Sequence, residues 1–434
     1  MNFGGDIFCQ SLNELVSSNS TPSNAEAADL QRTVLEIIRG QRTGLGASVA
    51  KGFLWLASGA YRLGAGFRNT LYDLSLKQAG SVDAKVISVG NLTVGGTGKT
   101  PVVEWLGRWV LQRGYRVVVL SRGYGQKKAD TGGPVPGAMN DEGLLLQANL
   151  DNIHLVLSPD RLRAAETALE HIDPKPECFI MDDGFQHRRL ARNLDILLID
   201  ALNPFGYDHV LPRGLLREPK KNLRRADVIV ITRSDQIEKG DLGELKNQIR
   251  LLVPEAPLLT AAHRLKGILQ CSDLSPIGSG WLKGKRIYAF CGLGNPEGFR
   301  RELDNLGGEV ITCEEFPDHH WYSDEEFQGI VNRAEEANAD LLLTTQKDAV
   351  KFDPELDLDL PFLCLRIGIE FLEGEDELTG RLTEIFPEER PAAGTMSQDE
   401  FNQAVSFGER PKDFHRPWEE KWWEKEEDGT GSRS

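Results

Sequence analysis

The chain has no run of about 18 apolar residues, so no segment reads as a helix that crosses a bilayer. It has little cysteine. Cys9, Cys178, Cys271, Cys291, Cys313 and Cys364 are scattered and form no C-x-x-C pair. That argues against a disulfide framework or a zinc site and for a reducing compartment. Positive charge is also short. A net charge of −16 argues against nucleic-acid binding, which needs basic surface to neutralise phosphates. The first 15 residues lack a basic start and carry Asp6 and Glu14, so they do not read as a secretory signal. They are equally unlike an Arg-rich mitochondrial presequence. What is present is 434 residues, 40% of them hydrophobic, enough for a large core and about two to three domains.

Residues 1–29 include the small, polar run VSSNSTPSNAEAA and read as a disordered or targeting extension. Residues 30–80 differ. From Arg39 to Lys77 there are six basic residues against one acid, Asp73. Within this stretch Phe53, Trp55, Leu56, Tyr61, Leu63 and Phe67 suit an amphipathic helix lying in a membrane interface. The competing reading is a helix docked on its own core. From residue 85, short β-rich runs alternate with helical ones: KVISV, RVVVL, IHLVL, ECFIM, LDILLI and DVIVI. Continuous apolar runs of this kind suit a parallel sheet covered on both faces, hence a doubly wound, mostly parallel α/β domain over 81–265. A second, smaller α/β block is expected over 266–386. From 387 to 434 the chain is polar and acidic, with Trp418, Trp422 and Trp423, and reads as a solvated tail.

The segment SVGNLTVGGTGKTP carries the first chemistry. The phosphate-loop pattern G-x-x-x-x-G-K-[ST] wants a glycine where Thr93 stands. Yet strand, glycine-rich turn and helix follow in the right order. Backbone N–H groups of Thr93, Val94, Gly95, Gly96, Thr97 and Gly98 can face an anion at a helix N-terminus. Lys99 can reach β- and γ-phosphates, and Thr100 can ligate Mg²⁺. Thr93 then needs only to avoid positive φ, with Gly90, Gly95 and Gly96 supplying flexibility. Next, CFIMDDGFQH reads as a buried strand ending in Asp182 and Asp183, followed by Gln186 and His187. One of these carboxylates can hold Mg²⁺. Asp200, at the end of LDILLIDA, competes for that place. Asp141 and Glu142 open a helical stretch, as a helix cap or as a base and metal ligand. Arg122, Arg161, Arg213 and Arg217 lie in loops where they can meet phosphate or make surface ion pairs. His319 and His320 are adjacent and do not match a zinc motif. In 232-TRSD, Arg233 replaces the lysine of the guanine-reading motif, which weakens a GTPase reading.

These motifs, with LSRGYG, SPDR, LPRGLLREP, CGLGNPEGF, PDHH and TTQKDAV in order from about 50 to 385, resemble the tetraacyldisaccharide 4′-kinase family of lipid A biosynthesis. That family's own loop also lacks the first glycine. The resemblance implies a P-loop NTPase fold, with ATP and Mg²⁺ as cofactors. It implies phosphoryl transfer to the 4′-hydroxyl of an acylated glucosamine disaccharide 1-phosphate, and an N-terminal helix that docks on the membrane through residues 30–77; the chain is expected to be a monomer. By motif it makes Lys99 a phosphate ligand and Thr100, Glu142 and Asp183 the Mg²⁺ shell. Asp141 becomes the base paired with His319, and Asp182 a supporting residue. Arg122, Arg161, Gln186, His187 and Arg217 are candidate phosphate or substrate contacts. The unmatched ends suggest a eukaryotic, plant-like member in mitochondria; a bacterial member would sit on the cytoplasmic face of the inner membrane. The alternative function is a P-loop assembly or metal-insertion switch, which has no need of an Asp141–His319 pair.

Overall fold

A computed structural model describes residues 33–123, 139–356 and 358–388. The expected extension at 1–29 and the tryptophans of the tail lie outside these residues. The first long element is α1 (Leu45–Asp73), followed by β1 (Lys85–Asn91), α2 (Lys99–Gln112), β2 (Val117–Ser121), α3 (Asp141–Asn149) and β3 (Ile153–Leu157). Then come α4 (Arg161–His171), β4 (Cys178–Asp182), β5 (Leu194–Asp200), β6 (Val228–Thr232), α5 (Lys239–Leu252), β7 (Leu258–Gln270) and β8 (Pro276–Ile277). The chain continues through β9 (Arg286–Gly292), α6 (Pro296–Asn305), β10 (Glu309–Phe316), α7 (Asp324–Glu336), β11 (Leu341–Thr345), α8 (Gln346–Ala349), β12 (Phe362–Glu373) and α9 (Glu375–Ile385).

The twelve strands of the described residues join one sheet, ordered β10-β9-β11-β12-β7-β6-β5-β1-β4-β2-β3, with β8 on β7. Strands β1 to β7 form one parallel wing, and β9 to β12 form another. The antiparallel pair β7·β12 sews them together. The division expected at 265 therefore needs correction, because that residue lies inside β7. Arg264 and Lys266 interrupt the apolar pattern of β7, so the strand does not stand out in the sequence. The expected extent of the second block, 266–386, changes as well. Strand β12 runs back along β7 and returns α9 to the first wing. There Leu378, Leu382 and Phe386 join the core formed by β1, β4 and α2. The Phe386 ring meets Tyr115 edge-on, centroids 4.9 Å apart.

Local patterning accounts for the layers. Helix α2 buries Val102, Val103, Leu106 and Val110, a stripe at helical spacing, against the sheet. On the opposite face α4 buries Ala164, Ala165 and Ala168, small side chains that let the helix sit close over Val118 and Phe179. Because β1 lies between β4 and β5, the turns after β1 and β4 meet at the carboxyl edge of the sheet. The register Val89↔Asp182 puts the acidic end of β4 beside the start of the glycine-rich turn.

Helix α1 lies on this wing with an exposed apolar face: Phe53 is 70% exposed, Trp55 62% and Leu63 77%. Among the described residues no helix is long and apolar enough to cross a membrane. Its other face is tied down. Ser58 Oγ donates to the Val210 carbonyl (2.6 Å), and Arg68 pairs with the buried Glu218 (2.8 Å). Tyr61, expected on the membrane-facing side, instead turns inward, and its hydroxyl donates to the Arg217 carbonyl at 3.0 Å.

Candidate active site

The turn after β1 does not need a glycine at 93. Thr93 is absent from the positive-φ residues and bridges Leu216 in antiparallel fashion. The Val94 N–H donates to the Leu215 carbonyl (2.8 Å) and the Arg217 N–H to the Leu92 carbonyl (2.7 Å). Residues 92–94 thus continue as extended chain, paired with 215–217. The sharp turning falls on Gly95 (φ 119°) and Gly98 (φ 79°), conformations that suit glycine. Gly90 serves close packing rather than flexibility: a Cβ there would lie 2.6 Å from Phe185.

The floor of the turn is held from β6. Thr232 Oγ1 donates to the Thr97 carbonyl (2.9 Å), and the Arg233 guanidinium donates to the Gly96 carbonyl (2.8 Å). Arg233 also pairs with Asp200, which ends its candidacy as a free metal ligand. The residue in the guanine-reading position therefore grips the phosphate loop itself. His263 of β7 packs beneath Gly98, where an added Cβ would lie 2.2 Å from Nε2. Burial drives the pKa of His263 down to about 4, and Arg233 adds to this.

At the mouth of the loop Thr100 Oγ1 donates to Glu142 Oε1 (3.2 Å). Helix α3 is capped by Asn140, whose side chain accepts from the Gly143 N–H (3.1 Å). That cap leaves both acids of the first turn available for chemistry. Asp141 is fully buried and faces His319, whose Nδ1–H donates to its two oxygens at 2.9 and 3.0 Å. Lys347 and Lys351 place their ammonium groups 3.7 and 3.4 Å from Asp141 Oδ2. Burial pushes the Asp141 pKa up, but the His319 hydrogen bond and the two lysines outweigh it and hold it at about 2. His319 moves the opposite way. Burial disfavours its charged form, but the bond to Asp141 raises its pKa above the ordinary histidine value.

The paired aspartates divide sharply. Asp183 lies 2.8 and 2.7 Å from Arg217 Nη1 through its two oxygens and 3.6 Å from Lys99 Nζ. Burial opposes its charge, but those two cations hold its pKa far below the carboxylate range. Asp182 has a buried oxygen, Oδ1, with no hydrogen-bond partner. Burial first, and the nearby Glu142 second, push its pKa up to about 7. An unpartnered carboxylate oxygen beside a second carboxylate and a threonine hydroxyl is a donor set suited to a small hard cation. Among the described residues no cluster of three or more His, Cys, Asp or Glu side chains has metal-holding spacing. Mg²⁺ needs only one or two carboxylates when substrate phosphates and waters complete its shell.

The family model for tetraacyldisaccharide-1-P 4'-kinase matches residues 50–386. The chain belongs to this family. A tetraacyldisaccharide 4'-kinase of Anaeromyxobacter sp. (strain Fw109-5) is 38% identical over 351 residues, which cover 79% of this chain and 94% of the relative. That of Syntrophus aciditrophicus (strain SB) is 38% identical over 328 residues, 71% of this chain and 86% of the relative. Among solved structures, "apo" form LpxK from Aquifex aeolicus in complex with ATP shares 33% identity at a TM-score of 0.61. The match covers 78% of this chain and 99% of that one.

In this member of the kinase family the expected residues gather at one end of the sheet, though not all in the expected capacity. Lys99, Thr100, Asp141, Glu142, Asp182, Asp183 and His319 converge. Arg161 is buried rather than a surface partner, its Nη2 3.4 Å from the Asp182 carbonyl oxygen, and burial lowers its pKa to about 10. Arg122, at the end of β2, is close enough to lower it further. Gln186 acts as a brace: Nε2 donates to the Asn91 carbonyl (2.7 Å), and Oε1 accepts from Arg217 (3.3 Å). His187 is held neutral by burial and the nearby Arg161, its pKa lowered to about 4. Lys347, Lys351 and Asp318 were not singled out in the sequence. The run TTQKDAV was the available signal, but its spacing from Asp141 is too long for local pattern to connect them.

Proposed function

We propose that this chain is an ATP- and Mg²⁺-dependent kinase. It transfers the γ-phosphoryl group to the 4′-hydroxyl of a tetraacyl glucosamine disaccharide 1-phosphate. One observation carries the reading. A buried carboxylate and a histidine from opposite wings meet at 2.9 Å beside the Thr100–Glu142 contact of a phosphate loop. A nucleotide switch has no use for such a pair.

Lys99 and the backbone N–H groups of the loop hold the β- and γ-phosphates at the start of α2. Thr100, Glu142 and Asp182 are the residues that would hold Mg²⁺, which supplies charge neutralisation at the phosphates. The unpartnered oxygen of Asp182 supports this assignment over Asp183. Asp183, engaged by Arg217 and Lys99, becomes the residue that fixes those two cations. The expected roles of the two aspartates are thereby exchanged. Asp141 stays ionised at physiological pH and accepts the hydrogen bond of the attacking hydroxyl. Its low pKa makes it a weak base alone, so the proton is taken by the Asp141–His319 pair. Phosphoryl transfer through a loose transition state asks more of positioning than of base strength. The wing that bears His319 acts as a lid whose closure excludes water.

The protein works as a monomer at a membrane surface, with the exposed face of α1 in the interface. The test incubates the purified protein with γ-labelled ATP, Mg²⁺ and the tetraacyl disaccharide 1-phosphate in detergent micelles. Label is expected in the lipid. Brisk ATP hydrolysis with no labelled lipid would overturn the kinase reading in favour of the switch.

A further inference from the structure

The TTQKDAV segment lies about two hundred residues from Asp141 along the chain, yet the fold delivers it to that carboxylate. Strand β11 ends at Thr345, whose side chain caps α8 by accepting from the Asp348 N–H (3.1 Å). The Gln346 and Asn149 amides exchange hydrogen bonds of 2.7 and 3.2 Å, which clip α8 to α3. That clip sets Lys347 and Lys351 against one carboxylate oxygen.

The two lysines are held differently. Lys351 has a side chain 1% exposed and contacts Asp348 Oδ1 (2.8 Å) and the His320 carbonyl (2.9 Å) as well as Asp141. It is a locked structural cation. Lys347 is 18% exposed, and its one short contact is with Asp318 Oδ1 (2.9 Å), itself 35% exposed. The charges acting on Lys347, beyond its burial, come from Asp141, Asp318 and Glu142. Glu142 is the carboxylate bonded to Thr100 of the phosphate loop. Lys347 therefore stands on a flexible stem where the proton-accepting pair and the phosphate loop meet.

We propose that Lys347 is a catalytic residue of the phosphoryl transfer. Its ammonium leaves Asp318 and Asp141 and binds an oxygen of the γ-phosphoryl group from the lid side, opposite Lys99. The inference rests on the kinase reading. In the step, the acceptor oxygen bonds to the γ-phosphorus. The bond to the β–γ bridging oxygen breaks, its electron pair going to ADP, and the hydroxyl proton passes to Asp141–His319. Charge on the transferred group then has a cation on each side. A contact to oxygen that develops charge during transfer affects turnover more than binding.

The experiment compares Lys347→Ala, Lys347→Met and Lys347→Arg in the full chain. The Ala and Met variants are expected to lose about 100-fold in kcat for lipid phosphorylation. Their KM for ATP should rise by no more than about tenfold, so that the larger loss lies in kcat, and Arg should recover at least about tenfold of that loss. A second readout needs no turnover: the ratio of ATP to ADP affinity at fixed Mg²⁺, expected to fall about tenfold in Ala and Met. If the wild type binds ATP but labels no lipid, the kinase reading fails, and the affinity ratio still decides Lys347. Near-normal kcat in Lys347→Ala, or an unchanged ATP-to-ADP ratio, overturns the proposal. Equal losses in Ala and Arg with a lowered melting temperature also overturn it, because they mark a structural lysine.

Discussion

Gly98 and His263 offer a direct test of how the phosphate loop is built. Gly98 adopts φ 79°, and a Cβ there would lie 2.2 Å from His263 Nε2 and 2.5 Å from Cε1. Gly98→Ala therefore carries two separable costs. Holding a non-glycine residue in the left-handed region costs about 1–2 kcal/mol. Forcing the His263 ring out of a packed site adds about 1–3 kcal/mol. The sum, about 2–5 kcal/mol, should appear in urea unfolding as a lower midpoint with unchanged m. His263→Ala opens the space, so in the double variant the steric part should disappear and the backbone part remain. The expected coupling is about 1–3 kcal/mol in the stabilising direction. ATP affinity, measured in parallel, should fall in Gly98→Ala and recover partly in the double variant. A single-variant cost below about 1 kcal/mol, or zero coupling to His263, would refute the steric account.

Three further outcomes follow from the same geometry. Asp141→Ala should cut lipid phosphorylation by about 1,000-fold or more while ATP affinity stays within about threefold, as single-turnover kinetics and equilibrium binding would show. His263 has its folded pKa lowered to about 4 from an ordinary 6.5, so the stability it contributes is whole above pH 6.5 and shrinks as pH falls toward 4. Unfolding titrations should show that loss, up to about 3 kcal/mol, and His263→Asn should flatten it. Replacing Phe53, Trp55, Leu63 and Phe67 together by serine should abolish sedimentation with anionic vesicles while leaving the melting temperature within about 3 °C, since these side chains are exposed.

Much of the active end could be read from the chain because its parts are local. A strand, a glycine-rich turn, a lysine and a threonine lie within one short stretch, and the apolar run into Asp182–Asp183 marks a buried strand. Ordered motifs over most of the chain then pointed to the kinase family. The paired carboxylates at 141–142 were visible, but whether they capped the helix depended on Asn140. Only the folded chain decided that Asn140 caps, and it sets at 2.9 Å the Asp141–His319 pair that the family resemblance implied.

What the sequence could not settle was contact across distance. Whether Thr93 is a defect was answered by its pairing with Leu216, over a hundred residues away. The different surroundings of Asp182 and Asp183 emerge only in the fold, where Arg217 engages Asp183 and leaves Asp182 Oδ1 unpartnered. The two α/β blocks looked separable because β7 carries charges that mask its periodicity, and only antiparallel pairing with β12 shows one continuous sheet. Composition, periodicity and local motif thus determined the strands, the phosphate loop and the chemistry at hand. Tertiary structure decided which charges face which, since pKa, burial and domain limits are set by neighbours in space rather than neighbours along the chain.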